Sequence, residues 1–172
     1  MKRIVLAMLL VCWLAGCTTI NQSARDSVPL SEEWVVLPFI NNTETPYAAE
    51  RAESIAVSLL YGRGVKRVVS APFDQVDDQL LPDRGAKRSL EALEWAKKRG
   101  VRYVVSGTVT EWRYKVGLDG EPVAGVTLQV LQLPEGVVVW SGSGSKSGWS
   151  RDAVSAVGQQ VLEKLISGIP VR

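Results

Sequence analysis

The spacing of apolar positions changes along the chain, and each change marks an element. Residues 34–40 (Trp34, Val35, Val36, Leu37, Pro38, Phe39, Ile40) form a continuous apolar run that stops at Asn41-Asn42, the mark of a strand covered on both faces. Thr45 and Pro46 then suit a helix start, threonine as cap and proline where a free amide would be wasted. Ala52, Ile55, Ala56 and Leu59 follow at helical spacing until Gly62 and Gly64 end the segment. Residues 66–70 read as a second strand, and 71–85, with Pro72, Asp74, Asp77, Asp78, Pro82 and Asp83, as an acidic solvated connection. A second helix is expected over 89–99, with Leu90 and Leu93 inward and Glu94 spaced to pair with Lys98. Lys97, Lys98 and Arg99 suit its negative end. Three strands come next without a helix between them, over about 101–114, 123–133 and 137–146. They are joined at Gly117-Leu118-Asp119-Gly120 and at Pro134-Glu135-Gly136, both turn-forming sequences. The last helix opens with Ser150 as cap and carries Val154, Val157, Val161 and Leu165 inward before Gly168 and Pro170 close it.

The resulting order, β-α-β-α-β-β-β-α, predicts one α/β domain over residues 34–172, a mixed β-sheet with helices packed on it. Two parallel crossovers precede an antiparallel meander, so the first and third strands should be neighbours. Ahead of this domain, residues 18–33 are polar and without period, and segment 17–33 is expected to be a flexible tether. No repeat of 20 to 50 residues is visible, which excludes solenoids and propellers.

The first sixteen residues follow another logic. Lys2 and Arg3 precede the apolar run 4–14, and Leu14-Ala15-Gly16-Cys17 closes it with small residues, the order of a secretory signal peptide over 1–16. The run is too short to span a bilayer, which takes about 20 apolar residues. The pattern resembles the lipobox of bacterial lipoproteins, which implies a diacylglycerol thioether and an N-acyl chain on Cys17 as the new N-terminus. Two or three chains anchor firmly, since each buried CH₂ contributes about 0.8 kcal/mol. Thr18 stands where an aspartate commonly retains such proteins in the inner membrane, so the resemblance implies the periplasmic face of the outer membrane.

Composition narrows the chemistry. The 20 Lys and Arg residues include Lys2 and Arg3, so the processed chain balances 18 bases against 18 acids. A nucleic-acid partner is therefore not expected. Of two cysteines, one leaves with the leader and the other takes lipid, so the domain is expected to lack disulfides and thiol nucleophiles. There is no histidine, which removes Ser-His-Asp and Cys-His catalysis and His-ligated metal together. No pair of acids forms a defensible carboxylate dyad either. The chain reads as a non-enzyme, with no catalytic residue, no metal site and no cofactor beyond the acyl chains on Cys17.

Three features remain. Gly142-Ser143-Gly144-Ser145-Lys146-Ser147 lacks phosphate-loop spacing, and its small residues instead permit close approach of another backbone or subunit. Trp34, Trp112 and Trp140 fall on strands, where a core explains them. Trp149 either staples onto Val154 or stands exposed as an interfacial anchor beside Arg151, which could meet lipid phosphate. Asp119 and Glu121 sit at a turn, where aspartate often shapes backbone only. Repeated around a ring, the same acids would focus a negative field that attracts a polycation.

Val36-Leu37-Pro38-Phe39 with Asn42 and Thr43, Arg51-Ala52, Glu111-Trp112-Arg113-Tyr114-Lys115, Gly117-Leu118-Asp119-Gly120-Glu121-Pro122, and Trp140-Ser141 leading to Ser147-Gly148-Trp149-Ser150-Arg151 resemble the PelC family. Its members are outer-membrane lipoproteins of the Pel exopolysaccharide secretion system, which builds biofilm matrix. The resemblance implies a homo-oligomeric ring of about a dozen subunits beneath the outer-membrane channel PelB. Its cargo would be a cationic amino-sugar polysaccharide, drawn in by a periplasm-facing acidic funnel at Asp119, with Glu121 adjacent. It also implies membrane contact through Trp149, with Arg151 nearby. The alternative is an assembly or scaffold lipoprotein that serves an outer-membrane barrel without touching polymer.

Overall fold

The computed structural model describes residues 18–72, 84–117 and 120–172. In chain order the elements are β1 (Thr18–Ala24), β2 (Glu33–Val36), β3 (Ile40–Asn41), α1 (Ala48–Gly62), β4 (Arg67–Ser70), α2 (Arg84–Lys98), β5 (Tyr103–Tyr114), β6 (Pro122–Gln132), β7 (Val137–Ser147) and α3 (Val154–Ser167). They build a single mixed α/β domain on a 7-stranded sheet of order β1-β7-β6-β5-β2-β4, with β3 paired to β5. β2 runs parallel to both β4 and β5, and β5, β6 and β7 form the antiparallel meander, as the two kinds of spacing require.

Helices α1 and α3 lie on one face of the sheet and α2 on the other. Strand β2 explains why both faces are apolar there. Trp34 and Val36 join the core beneath α1 and α3, while Val35 and Leu37 join Ala92 and Ala96 of α2. The largest fully buried side chains are Trp34, Trp112 and Trp140. The Trp34 indole donates to the Pro29 carbonyl at 3.1 Å. Burial of each such ring contributes a few kcal/mol through removed apolar area.

Several local expectations need correction. The supposed tether is part of the domain. Residues Thr18–Ala24 pair along their whole length with β7, Thr18 opposite Lys146 and Ala24 opposite Trp140. Val28 is fully buried and bridges Val171. The strand has one large apolar side chain, Ile20, so it shows no readable period. Its stability comes from the ladder and from Gln22, whose amide donates to the Lys164 carbonyl at 3.0 Å at the end of α3. The glycines of β7 make room for this: a Cβ on Gly144 would meet Ile20, and one on Gly142 would meet Trp140 and Leu165. The close backbone approach is therefore intramolecular.

The run 34–40 is split into β2 and β3, because Pro38 has no N–H for the ladder. Thr45 does not cap α1. Its hydroxyl donates to the Trp112 carbonyl, and Tyr47, left-handed at φ 58°, precedes the helix without a side-chain cap. Helix α2 begins at Arg84, earlier than expected, and turns Leu90 outward at 63% exposure. Its buried positions are Ala92 and Ala96, and Glu94 pairs with Lys97 at 2.8 Å instead of Lys98. Ser150 is not a cap, because α3 starts only at Val154, after Ala153. Val157, Val161 and Leu165 do face inward. Most of the acidic connection lies outside the described residues.

Candidate membrane and polymer surface

One end of the sheet gathers most of the residues singled out by sequence. Tyr114 of β5 is paired with Pro122 of β6, and Ser147 of β7 with Val123. The β5–β6 turn and the β7–α3 loop therefore leave the sheet side by side. Strand β1 enters at this same end, with Thr18 opposite Lys146. Cys17 lies outside the described residues, but its covalent neighbour Thr18 is three positions along the pairing from Trp149.

Trp149 is held by its backbone and bare in its side chain. Its N–H donates to the Asp152 carboxylate at 2.8 Å, and the Asp152 N–H returns to the Trp149 carbonyl at 2.9 Å. This closed turn occupies the positions where a helix start was expected, and it sends the indole outward at 62% exposure. Because α3 starts at Val154 with Ala153 before it, Trp149 does not hold the position of a staple residue. Arg151 is exposed beside it. The Tyr114 hydroxyl accepts the Val154 N–H at 3.4 Å, tying the end of β5 to the start of α3.

The β5–β6 turn gives a mixed result. Lys115 N–H donates to the Glu121 carbonyl at 2.8 Å, and the Lys115 ammonium meets the Glu121 carboxylate at 3.1 Å. Glu121 therefore stands beside a base instead of presenting an uncompensated acid. Both side chains are more than a third exposed, so the pair contributes little to stability. Glu111 and Arg113 balance each other in the same way at 3.6 Å. Asp119 lies outside the described residues; Gly120, which follows it, takes φ 50°, a left-handed conformation that suits glycine.

Two members of this end were missed by sequence reasoning. Val116 is fully exposed and Tyr114 half-exposed, both beside the turn. An apolar residue placed directly before a turn glycine was the available signal. Elsewhere, a shallow cleft of about 470 Å³ lined by Lys97, Arg102, Leu133 and Pro134 sits at the opposite end of β5 and β6. Among the described residues no group of three or more His, Cys, Asp or Glu could hold a metal ion.

Neither a family model nor a curated protein matches the chain. Solved structures do. The chain is similar to the PelC dodecamer from Paraburkholderia phytofirmans at 38% identity, covering 91% of this chain and 99% of that one with a TM-score of 0.75. A leucine-to-methionine variant of that dodecamer, in another crystal form, matches equally, at 38% identity and a TM-score of 0.76. The chain belongs to the PelC family. Lipoprotein GNA1162 from Neisseria meningitidis is similar at 18% identity, covering 80% of this chain and 97% of that one with a TM-score of 0.57, a likeness of fold alone. In this chain β1 starts at the end of the sheet where Trp149 stands.

Proposed function

We propose that this PelC-family chain is a lipid-anchored subunit of a homo-oligomeric ring of about twelve copies on the periplasmic face of the outer membrane. The ring guides a cationic amino-sugar polysaccharide toward the channel PelB, by electrostatics and without a covalent step. The observation that carries the reading is the near-full-length match at 38% identity to a protein solved as a dodecamer. Acylation at Cys17 would anchor each copy. The entry of β1 beside an exposed Trp149 and Arg151 supports one membrane-facing end, since indole rings and guanidinium groups suit the headgroup layer. With Glu121 paired to Lys115, the guiding charge falls to Asp119. Twelve like charges around one opening would draw in a polycation far more strongly than any single carboxylate.

The test is Asp119→Lys. Polymer secretion should fall severalfold while the mass of the ring is unchanged, and normal secretion with a reversed charge would refute electrostatic guidance. The pairing of Glu121 favours a second reading, a scaffold for an outer-membrane barrel without polymer contact. Crosslinking of the purified ring to deacetylated oligosaccharide separates the two, because a scaffold captures none.

A further inference from the structure

Among the described residues Glu53 is the single charged side chain in the buried set, and nothing in the proposed function uses it. It lies at the margin of the sheet. Strand β4 pairs with β2 and ends at Ser70, opposite Val36. At the level of β3, which pairs with Thr108 and Val109 of β5, no further strand lies outside it. Helices α1 and α2, on opposite faces of the sheet, both reach β3 there. Pro38 interrupts the ladder between β2 and β3, and the next N–H, that of Phe39, donates to the Glu53 carboxyl. From the other face comes Arg88 of α2. It pairs with Glu50 of α1 at 3.6 Å and stands close enough to Glu53 to act on its charge.

The cluster joins two helices that share no face of the sheet, and its charge balance depends on one proton. With Glu53 protonated, Glu50 and Arg88 offset each other. With Glu53 ionised, two carboxylates face one guanidinium where water is largely excluded, and an excess charge in such a place is relieved by opening to solvent. The hold on α2 at this margin is thin. Residues 85–91 are all exposed or half-buried, and Gly85 lies against Ile40, while the buried positions Ala92 and Ala96 come later in the helix. We infer that Glu53, Glu50 and Arg88 form a proton-controlled latch, which closes α1 and α2 over β3 while Glu53 holds its proton and releases that margin when the proton leaves. Burial, the largest cause, pushes the Glu53 carboxyl up to about 7 against the Phe39 N–H and Arg88, with Glu50 adding to the rise. An opened margin returns the group to its ordinary 4.5, so opening is favoured as pH climbs from about 4.5 to about 7 and levels off above. The meander and α3 stay in place, because Trp112, Trp140, Val161 and Leu165 hold them together in the core.

Hydrogen exchange read by mass spectrometry on the detergent-solubilised lipoprotein tests this, with rates corrected for the intrinsic effect of pH. Between pH 5 and pH 8 the opening constant of segments 37–50 and 84–92 should rise about tenfold or more, while β6, β7 and α3 change by less than about threefold. Glu53→Gln, which cannot ionise, should abolish the rise. Glu50→Gln should shrink it, since it removes the like charge and leaves Arg88 to Glu53. The latch is overturned by no rise in the parent protein or by an equal rise in Glu53→Gln. A rise spread evenly over the whole domain also overturns it, because that marks global stability alone.

Discussion

Glu53 is a carboxylic acid buried on the apolar face of the first helix. It sits on the first helix at a position flanked by the apolar stripe, is 8% exposed, and its carboxyl is pushed up to about 7, chiefly by burial. The Phe39 N–H and the Arg88 guanidinium pull the other way, while Glu50, itself 3.6 Å from Arg88, adds to the rise. Because the folded value lies above the ordinary 4.5, the native state holds this proton more tightly than the unfolded chain does. The stabilisation is complete below about 4.5 and is lost as pH rises through about 7, a swing of about 3 kcal/mol at most. Glu53→Gln should therefore raise the melting temperature at pH 8 and flatten its decline between pH 5 and 8, as thermal denaturation across that range would show. Glu33 behaves conventionally: Arg99, then Arg67, hold its carboxyl below the usual range through hydrogen bonds at 2.9 and 3.0 Å. The indole N–H groups of Trp112 and Trp140 are buried without a hydrogen-bond partner, so these rings contribute through the volume they fill.

Among the elements, α3 and β1 depend on glycine in ways that period alone does not reveal. Gly158 faces the sheet, where a Cβ would run into the Trp112 ring. An alanine there gains up to about 1 kcal/mol of helix propensity but overfills a packed core, which costs about 1–3 kcal/mol. Gly158→Ala should leave the protein less stable by about 1–2 kcal/mol in urea titration, and a stabilised variant would contradict the packing described. The same reasoning explains what was readable. Elements buried by many apolar side chains, such as β2, β5, β6 and the body of α3, show their period in the chain and are legible there to within a few residues. Strand β1 is not, because a polar edge strand is held by backbone pairing and by Gln22, neither of which leaves an apolar signature. Helix starts failed for a related reason: Thr45 and Ser150 are good caps in isolation, but the Thr45 hydroxyl bonds to Trp112 and Asp152 closes the turn around Ser150.

At the scale of the whole molecule, the strands give the domain two unlike ends. Trp149, Val116 and Tyr114 stand at one, and Val137 and Val138 are the exposed large apolar residues where β7 begins at the other. If the first end meets the bilayer, Trp149→Ala should weaken binding of the unlipidated domain to anionic vesicles severalfold, while Val138→Asp leaves it unchanged. Equal losses in a flotation assay would dismiss a directed membrane face. Sequence by itself determined the class of fold, the parallel-then-antiparallel order, the three core tryptophans and the lack of histidine chemistry. Each of these depends on residue identity or on the spacing of apolar side chains, which the chain carries openly. Only the tertiary structure decided that residues 18–24 form a strand, that Glu121 is matched by Lys115, and that among the described residues no helix covers the second face of β7 and β1. Those outcomes depend on register between strands distant in sequence, and a ladder of backbone hydrogen bonds is indifferent to most of the side chains it joins.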